Sequence, residues 1–408
     1  MSRKHPFHSL TVGYDWEMAV LKKTTESAGE DEIVKIADEI RKKLPWARTG
    51  IDIDLLELRM TIGSNWDEFK EKNRTLIACA RKIATKKGYT ILPIGARPTE
   101  QMPIGSHIHI GTIPDFTDAI RITNAMIPYV PCLVALACNS PFSRFDIGKF
   151  KSYRVAYNAE WCSFPVEMRI PQCARGGWGE DVQVRLPRKP TIEIRCLDSA
   201  SDITLMEEYT ALCAGLLYGV VKRAKKMKAE RNMIEWHSMN RLSAAKDGLQ
   251  ATLYWYGENK PVTAIFSEIF SIAYEGMEIF GASVDDLKII KQMISKRQTQ
   301  SDFLKLFIEL DNDPASLFRT LMTVLSDDNA FKTYLKKAKK LPVRKPLSLE
   351  EYILSNITKD VPHFHLYMLS PLPSYHLSRL LRKLEAEGKI ISTFSPYEAI
   401  LYTKTDLL

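Results

Sequence analysis

The stretch Gly105-Ser106-His107-Ile108-His109-Ile110-Gly111 reads as a strand bounded by glycines, with two imidazoles two residues apart and isoleucines on the alternate positions. In a strand, residues i and i+2 point to the same face, about 6.5–7 Å apart. Three other short segments repeat the arrangement: Asp15-Trp16-Glu17, Glu57-Leu58-Arg59 and Glu193-Ile194-Arg195. Each offers a pair of polar, ion-binding groups to one side and an apolar wall to the other. If the four strands share one sheet, one face collects carboxylates, imidazoles and guanidinium groups. Such a face suits hard metal ions and the phosphates they bridge. Taken singly, each pair has a plainer reading. The acidic pair also fits a solvated outer face, the histidines fit exposed or core positions, and each Glu–Arg pair fits a salt bridge on a strand surface. The combination is more specific than any member.

The 408 residues are enough for two domains and a large core. Hydrophobic residues make up 45%, ordinary for a globular protein. A net charge of +8 suits an enzyme for anionic substrates but does not by itself imply nucleic-acid binding. The seven cysteines lie between Cys79 and Cys213, without a C-x-x-C, so a reducing compartment is expected rather than a disulfide framework. Met1–Leu10 has no apolar core of a signal peptide. The run Ala125–Cys138 is broken by Pro128 and Pro131 and is too short to span a bilayer. A cytoplasmic protein with no membrane association is the expectation.

Strands are predicted at 11–21, 54–62, 89–94 and 191–197, and helices at 31–44, 66–87, 116–138 and 203–228. Gly88 stands where a helix stop is expected. The irregular alternation favours an α+β fold over a doubly wound sheet. Residues 240–334 read as helical, and the Lys- and Pro-containing stretch Lys336–Lys345 reads as a linker. The division expected is a catalytic unit over 1–340 and a second unit over 346–408. In the latter, helices at 349–357 and 374–387 precede strands at 390–394 and 399–404, joined by Ser395-Pro396-Tyr397-Glu398. That order resembles a winged helix.

The motif series Gly13-Tyr14-Asp15-Trp16-Glu17, Gly105 to Gly111, Asn139-Ser140-Pro141-Phe142, Thr191-Ile192-Glu193-Ile194-Arg195, and Asn240-Arg241 with Gly248-Leu249 resembles that of the type 2 glutamate–cysteine ligases, also called carboxylate–amine ligases. The resemblance covers roughly Leu10–Tyr256, extends toward residue 335, and does not cover Leu347–Leu408. It implies a glutamine-synthetase-like fold, a curved antiparallel sheet with a metal-lined concave face flanked by helices. It implies ATP and Mg²⁺ or Mn²⁺ as cofactors. Carried over by motif, Asp15, Glu17, Glu57, His107, His109 and Glu193 are the expected metal ligands. Arg195, Glu57 and Arg154 are the expected catalytic residues, and Arg195, Arg185 and Arg59 the expected nucleotide contacts. The family has Gly-x-Glu-x-Glu where this chain has Asp15 and Glu17, one methylene shorter at the first ligand.

The resemblance implies that ATP phosphorylates a glutamate carboxylate, and that an amine, cysteine by default, attacks the acyl phosphate. Such chemistry needs positioning and charge neutralisation rather than a protein nucleophile. The chain has neither a Walker A loop nor a plausible Ser-His or Cys-His set, in keeping with that. Two alternatives stay open: the same chemistry on another amine, and a ligase-like sensor fused to a DNA-binding winged helix, with His376, Arg379, Arg382 and Lys383 on its recognition helix. The segment Trp161–Glu180 is a candidate wall of the amine pocket. A homodimer is the expected assembly, with nucleic acid as a further partner of the C-terminal unit.

Overall fold

The computed structural model describes residues 10–407 except 64, 98–102, 112, 114, 143–147, 158–180, 186–190, 224–232, 309–313, 364–365, 367–373 and 395–399. Its centre is an antiparallel sheet of strands β1 (Thr11–Lys22), β2 (Gly50–Asp52), β3 (Leu55–Gly63), β4 (Tyr89–Leu92), β5 (Gly105–Gly111), β6 (Val182–Arg185) and β7 (Thr191–Asp198). The order is β2-β3-β1-β5-β7-β6, with β4 pairing the far end of β1. All four polar-pair segments therefore lie on neighbouring strands. An antiparallel sheet with helices agrees with the expected α+β class. Strands β2 and β6, three and four residues long, were not foreseen.

Register separates the two faces. Tyr14 opposes Met60 and Ile108, Trp16 opposes Leu58, and Ile108 opposes Ile194. These residues form a buried apolar face that packs on α2 (Trp66–Lys86) and α6 (Ile203–Arg223). Within that core the Tyr14 hydroxyl donates to Asn73, whose amide reaches Glu207 at 3.2 Å. Arg74 binds the same carboxylate through two 3.1 Å bonds. Helix α1 (Glu30–Lys43) covers one flank with Ile33, Ile36 and Ile40. Gly88 has φ +85°, the left-handed stop expected after α2.

Further along, α3 (Phe116–Met126) and α4 (Val130–Ala137) follow one another through a 3₁₀ turn. Thr117–Ala137 is thus a 21-residue helical run, long and apolar enough to cross a membrane, which corrects the shorter reading from the prolines. Of its most apolar window 89% is buried inside the fold. Helices α5 (Tyr153–Tyr157), α7 (Met233–Asp247), α8 (Val262–Phe280), α9 (Lys288–Lys296), α10 (Gln300–Ile308), α11 (Pro314–Val324) and α12 (Ala330–Lys337) complete this part.

The helical reading of 240–334 misses a hairpin, β8 (Thr252–Trp255) and β9 (Glu258–Pro261). Its two-residue loop, Tyr256-Gly257, has φ +47° and +95°, as a type I′ hairpin turn requires. The segment Lys336–Lys345, read as a linker, forms a strap hydrogen-bonded to the larger part at several points. Leu341 N donates to Lys296 O and Arg344 N to Gln250 O. The side chains of Arg297, Gln298, Gln250 and Thr252 donate to the carbonyls of Leu341, Lys339, Pro342 and Arg344.

Beyond the strap come α13 (Leu349–Asn356), β10 (Val361–Pro362), α14 (Ser374–Ala386), β11 (Ile390–Phe394) and β12 (Ile400–Lys404). The strands form a small sheet in the order β10-β12-β11. The predicted turn at 395–398 lies outside the described residues. Tyr352 packs edge-on against Phe150, with centroids 6.1 Å apart, so the unit leans on the larger part.

Candidate active site

The sheet face opposite the core carries the polar residues. Asp15 opposes His107 on one side and Arg59 on the other, Glu17 opposes Glu57, and His109 opposes Glu193. A register shift between Ser106 and Ile108 places the Arg195-Cys196 bend of β7 beside His107. Two clusters result. In one, ligand atoms of Asp15, His109 and Glu193 lie within 4.8 Å of one another; in the other, those of Glu17, Glu57 and His107 do. His107 joins them: Nε2 is 3.5 Å from Glu17 Oε1, and Nδ1 is 3.5 Å from Glu193 Oε1. His109 Nε2 is 3.0 Å from Asp15 Oδ2 and 3.7 Å from Glu193 Oε1.

Guanidinium groups already meet these carboxylates. Arg195 Nη1 donates to Glu193 Oε1 at 2.5 Å, and Arg185 contacts the other oxygen, which Gln183 also reaches at 2.6 Å. Arg59 pairs with Glu57. Glu17 accepts from the Gly105 backbone N–H at 2.6 Å. Arg154 is buried and donates to the carbonyl of Arg195 at 2.7 Å. All ten expected site residues are therefore on or against one face. Trp161–Glu180 lies outside the described residues.

The electrostatics are those of a site short of positive charge. Burial raises the Glu17 carboxyl to about 8, against the pull of Arg154 and the Gly105 N–H. Burial, with Asp15 close by, raises Glu57 to about 7. Burial also holds His107 well below the ordinary histidine value, helped by Arg195, so it is a neutral donor of a lone pair. Burial acts to raise Glu193, but His107, His109, Arg195 and Arg185 together outweigh it and hold this carboxyl low. Carboxylates kept protonated near neutrality by a dry, anionic environment are what a divalent cation would ionise. The oxygen-rich donor set, with one imidazole per cluster, fits Mg²⁺ or Mn²⁺.

A cleft of about 460 Å³ opens beside the first cluster, lined in part by Asp15, His109, Arg59, Arg48, Met60 and Thr191. That volume is in the range of small-molecule sites. The Glu17–Glu57–His107 cluster is buried more deeply. Sequence reading missed Arg48 and Gln183. Gln183 follows the same alternation, Val182-Gln183-Val184-Arg185, on a strand too short to stand out. It also missed the organising role of Asp198, which accepts from Asn139 N at 2.7 Å, Ser140 Oγ at 2.8 Å and Ser152 Oγ at 2.9 Å. Ser140 Oγ in turn receives the Arg154 N–H at 3.3 Å.

Residues 99–168 match the model of the glutamate-cysteine ligase family 2. A candidate glutamate–cysteine ligase 2-1 of Streptomyces avermitilis is 29% identical over 180 residues, 39% of this chain and 48% of that protein. A candidate glutamate–cysteine ligase 2 of Streptomyces coelicolor is 26% identical over 220 residues, 48% of this chain and 58% of that protein. The chain thus spans about half the length of these curated relatives. Among solved structures, a glutamate–cysteine ligase of Francisella tularensis in complex with AMP superposes with a TM-score of 0.54 at 12% identity, covering 93% of this chain and 98% of that one. That likeness is one of fold.

Proposed function

We propose that this chain is a carboxylate–amine ligase, similar over part of its length to the glutamate-cysteine ligase family 2, and that it uses ATP to join the side-chain carboxylate of glutamate to an amine through an acyl phosphate. The observation that carries the reading is the pair of adjoining carboxylate–imidazole clusters, Asp15–His109–Glu193 and Glu17–Glu57–His107, on one sheet face beside a cleft. In this reading the six residues hold two or three Mg²⁺ or Mn²⁺ ions. When bound, those ions neutralise the phosphates and the charge that develops as the phosphoryl group moves.

The protein's own residues have separate tasks. Glu193 now holds Arg195 and Arg185, and Glu57 holds Arg59. A carboxylate engaged by a cation would release its guanidinium partner toward the phosphates in the cleft. Arg195, Arg185 and Arg59 then bind phosphate oxygens, for which a guanidinium fork is shaped. Arg154, fixed from below by Ser140 and Asp198, holds the Arg195 bend in place and presents charge near Glu17. Cysteine is the default amine, and the same chemistry with another amine is the nearest variant. The test is ADP release by the purified protein with Mg²⁺ or Mn²⁺, glutamate and a panel of amines. Amine-dependent ADP and an amide product support the reading, and release of AMP contradicts it.

A further inference from the structure

Between Asp328 and Glu350 the chain carries seven lysines and arginines and no acidic residue. Six of them, Lys336, Lys337, Lys339, Lys340, Arg344 and Lys345, are exposed, and none forms an ion pair among the described residues. A solvated tail would disperse such charge by moving. This segment cannot do so, because its main chain is bonded at Lys339, Leu341, Pro342 and Arg344 to Lys296–Gln298 and Gln250–Thr252. The result is a rigid cationic ribbon whose side chains point out while its backbone is spent inward. Like charges held together self-repel, and a binding surface ordered in advance loses little entropy on association.

The ribbon runs directly into the C-terminal unit. There, helix α14 buries Leu377, Leu381 and Leu384 and exposes Arg379 and Arg382. Lys383, by contrast, is taken up by Glu350 and Glu387. Among the described residues the unit runs helix, strand, helix, antiparallel hairpin, and the Lys383–Glu350 pair ties α14 to a residue five positions past the end of the ribbon. Residues 347–408 hold six Lys or Arg against seven Asp or Glu, so this unit alone lacks the charge for a phosphate backbone. The ribbon supplies it. We infer that residues 336–345 and the Arg379–Arg382 face of α14 form one surface for double-stranded nucleic acid, with the ribbon contacting phosphates. This inference does not depend on the ligase reading.

The test is fluorescence anisotropy of the full chain with a labelled mixed-sequence DNA duplex of 25 base pairs, between 50 and 200 mM salt. Counterion release predicts a log–log slope of about −0.9 per phosphate contacted, so roughly −4 to −6 here. The variant K339Q/K340Q/R344Q/K345Q leaves every backbone bond of the ribbon intact. It should bind at least ~30-fold more weakly at 50 mM salt, with the slope smaller by about 3. R379Q/R382Q should weaken binding about 10-fold. Wild-type affinity in either variant, with unchanged melting temperature, overturns the inference. So does failure of the wild type to bind duplex at 50 mM salt, or displacement of the duplex by an equally charged polyglutamate peptide at equal concentration, which would identify an acidic protein as the partner.

Discussion

Gly105 lies directly against Arg154: a Cβ at this glycine would sit 2.6 Å from Arg154 Nη2 and 2.9 Å from His107 Nε2. The absent side chain is what lets a buried guanidinium and an imidazole meet over the start of β5. The Gly105 N–H also holds Glu17, so one small residue serves a guanidinium, an imidazole and a carboxylate.

Gly105→Ala should therefore push Arg154 and His107 apart without harming the sheet ladder. The expected outcome is a fall in ATP turnover of about 10²-fold, the size of effect that a shift of about 1 Å in a positioned group produces, with secondary structure by circular dichroism unchanged. Unaltered turnover would show that Arg154 does not need its present place.

Binding of a divalent cation at the sheet face should release protons. Glu17 and Glu57 hold protons up to about pH 8 and 7 in the cation-free protein, and a bound cation needs the carboxylates. At pH 6.5 Mn²⁺ binding should expel roughly one to two protons per chain, and at pH 9 almost none. Calorimetry in two buffers of different ionisation enthalpy reads this directly. A proton count that does not change with pH would remove these two residues from the cation site.

Glu208 gives a stability effect away from the site. It is buried on α6 and caps α9, accepting from Ile289 N at 3.0 Å and Ile290 N at 2.8 Å. Burial raises its carboxyl to about 7, against those two bonds. A raised folded value means that the folded state binds the proton more tightly. Its contribution is full below the unfolded value near 4.5 and is lost as pH rises through 7. Glu208→Gln should remove this slope, so that roughly 2 kcal/mol less stability is lost between pH 5 and 8 than in the wild type. Urea unfolding at the two pH values measures it.

The strap alters where the chain can be cut. A truncation after Pro346 keeps the hydrogen bonds of Gln250, Thr252, Arg297 and Gln298 to the strap, whereas one after Ala338 removes all of them. The longer form should retain ligase turnover within about threefold. The shorter should lose several degrees of melting temperature, as expected for a few kcal/mol in a chain this long. Equal melting temperatures would show that the strap adds no stability.

What could be read beforehand follows from periodicity. Asp15/Glu17, Glu57/Arg59, His107/His109 and Glu193/Arg195 announce themselves because alternation in a strand survives any tertiary context. Their adjacency in the order β3-β1-β5-β7 is a long-range pairing that no local pattern contains. Gln183 and Arg48 were lost because they sit on or beside elements too short to show a period. The Tyr256-Gly257 turn was missed because its two strands are four residues each and lie between long helices. The hydrogen bonds of the strap were not legible, because lysine and proline describe solvent exposure of side chains and say nothing about where backbone carbonyls and amides are satisfied.

If this face activates a carboxylate by phosphorylation, an oxygen atom passes from glutamate to the released phosphate. Glutamate labelled with oxygen-18 in its side-chain carboxylate is turned over with ATP, Mg²⁺ and the amine that gives ADP release. One labelled oxygen should appear in each released phosphate and the other in the amide product, with Glu193→Gln lowering both by at least ~10²-fold. Label confined to the amide product would contradict it.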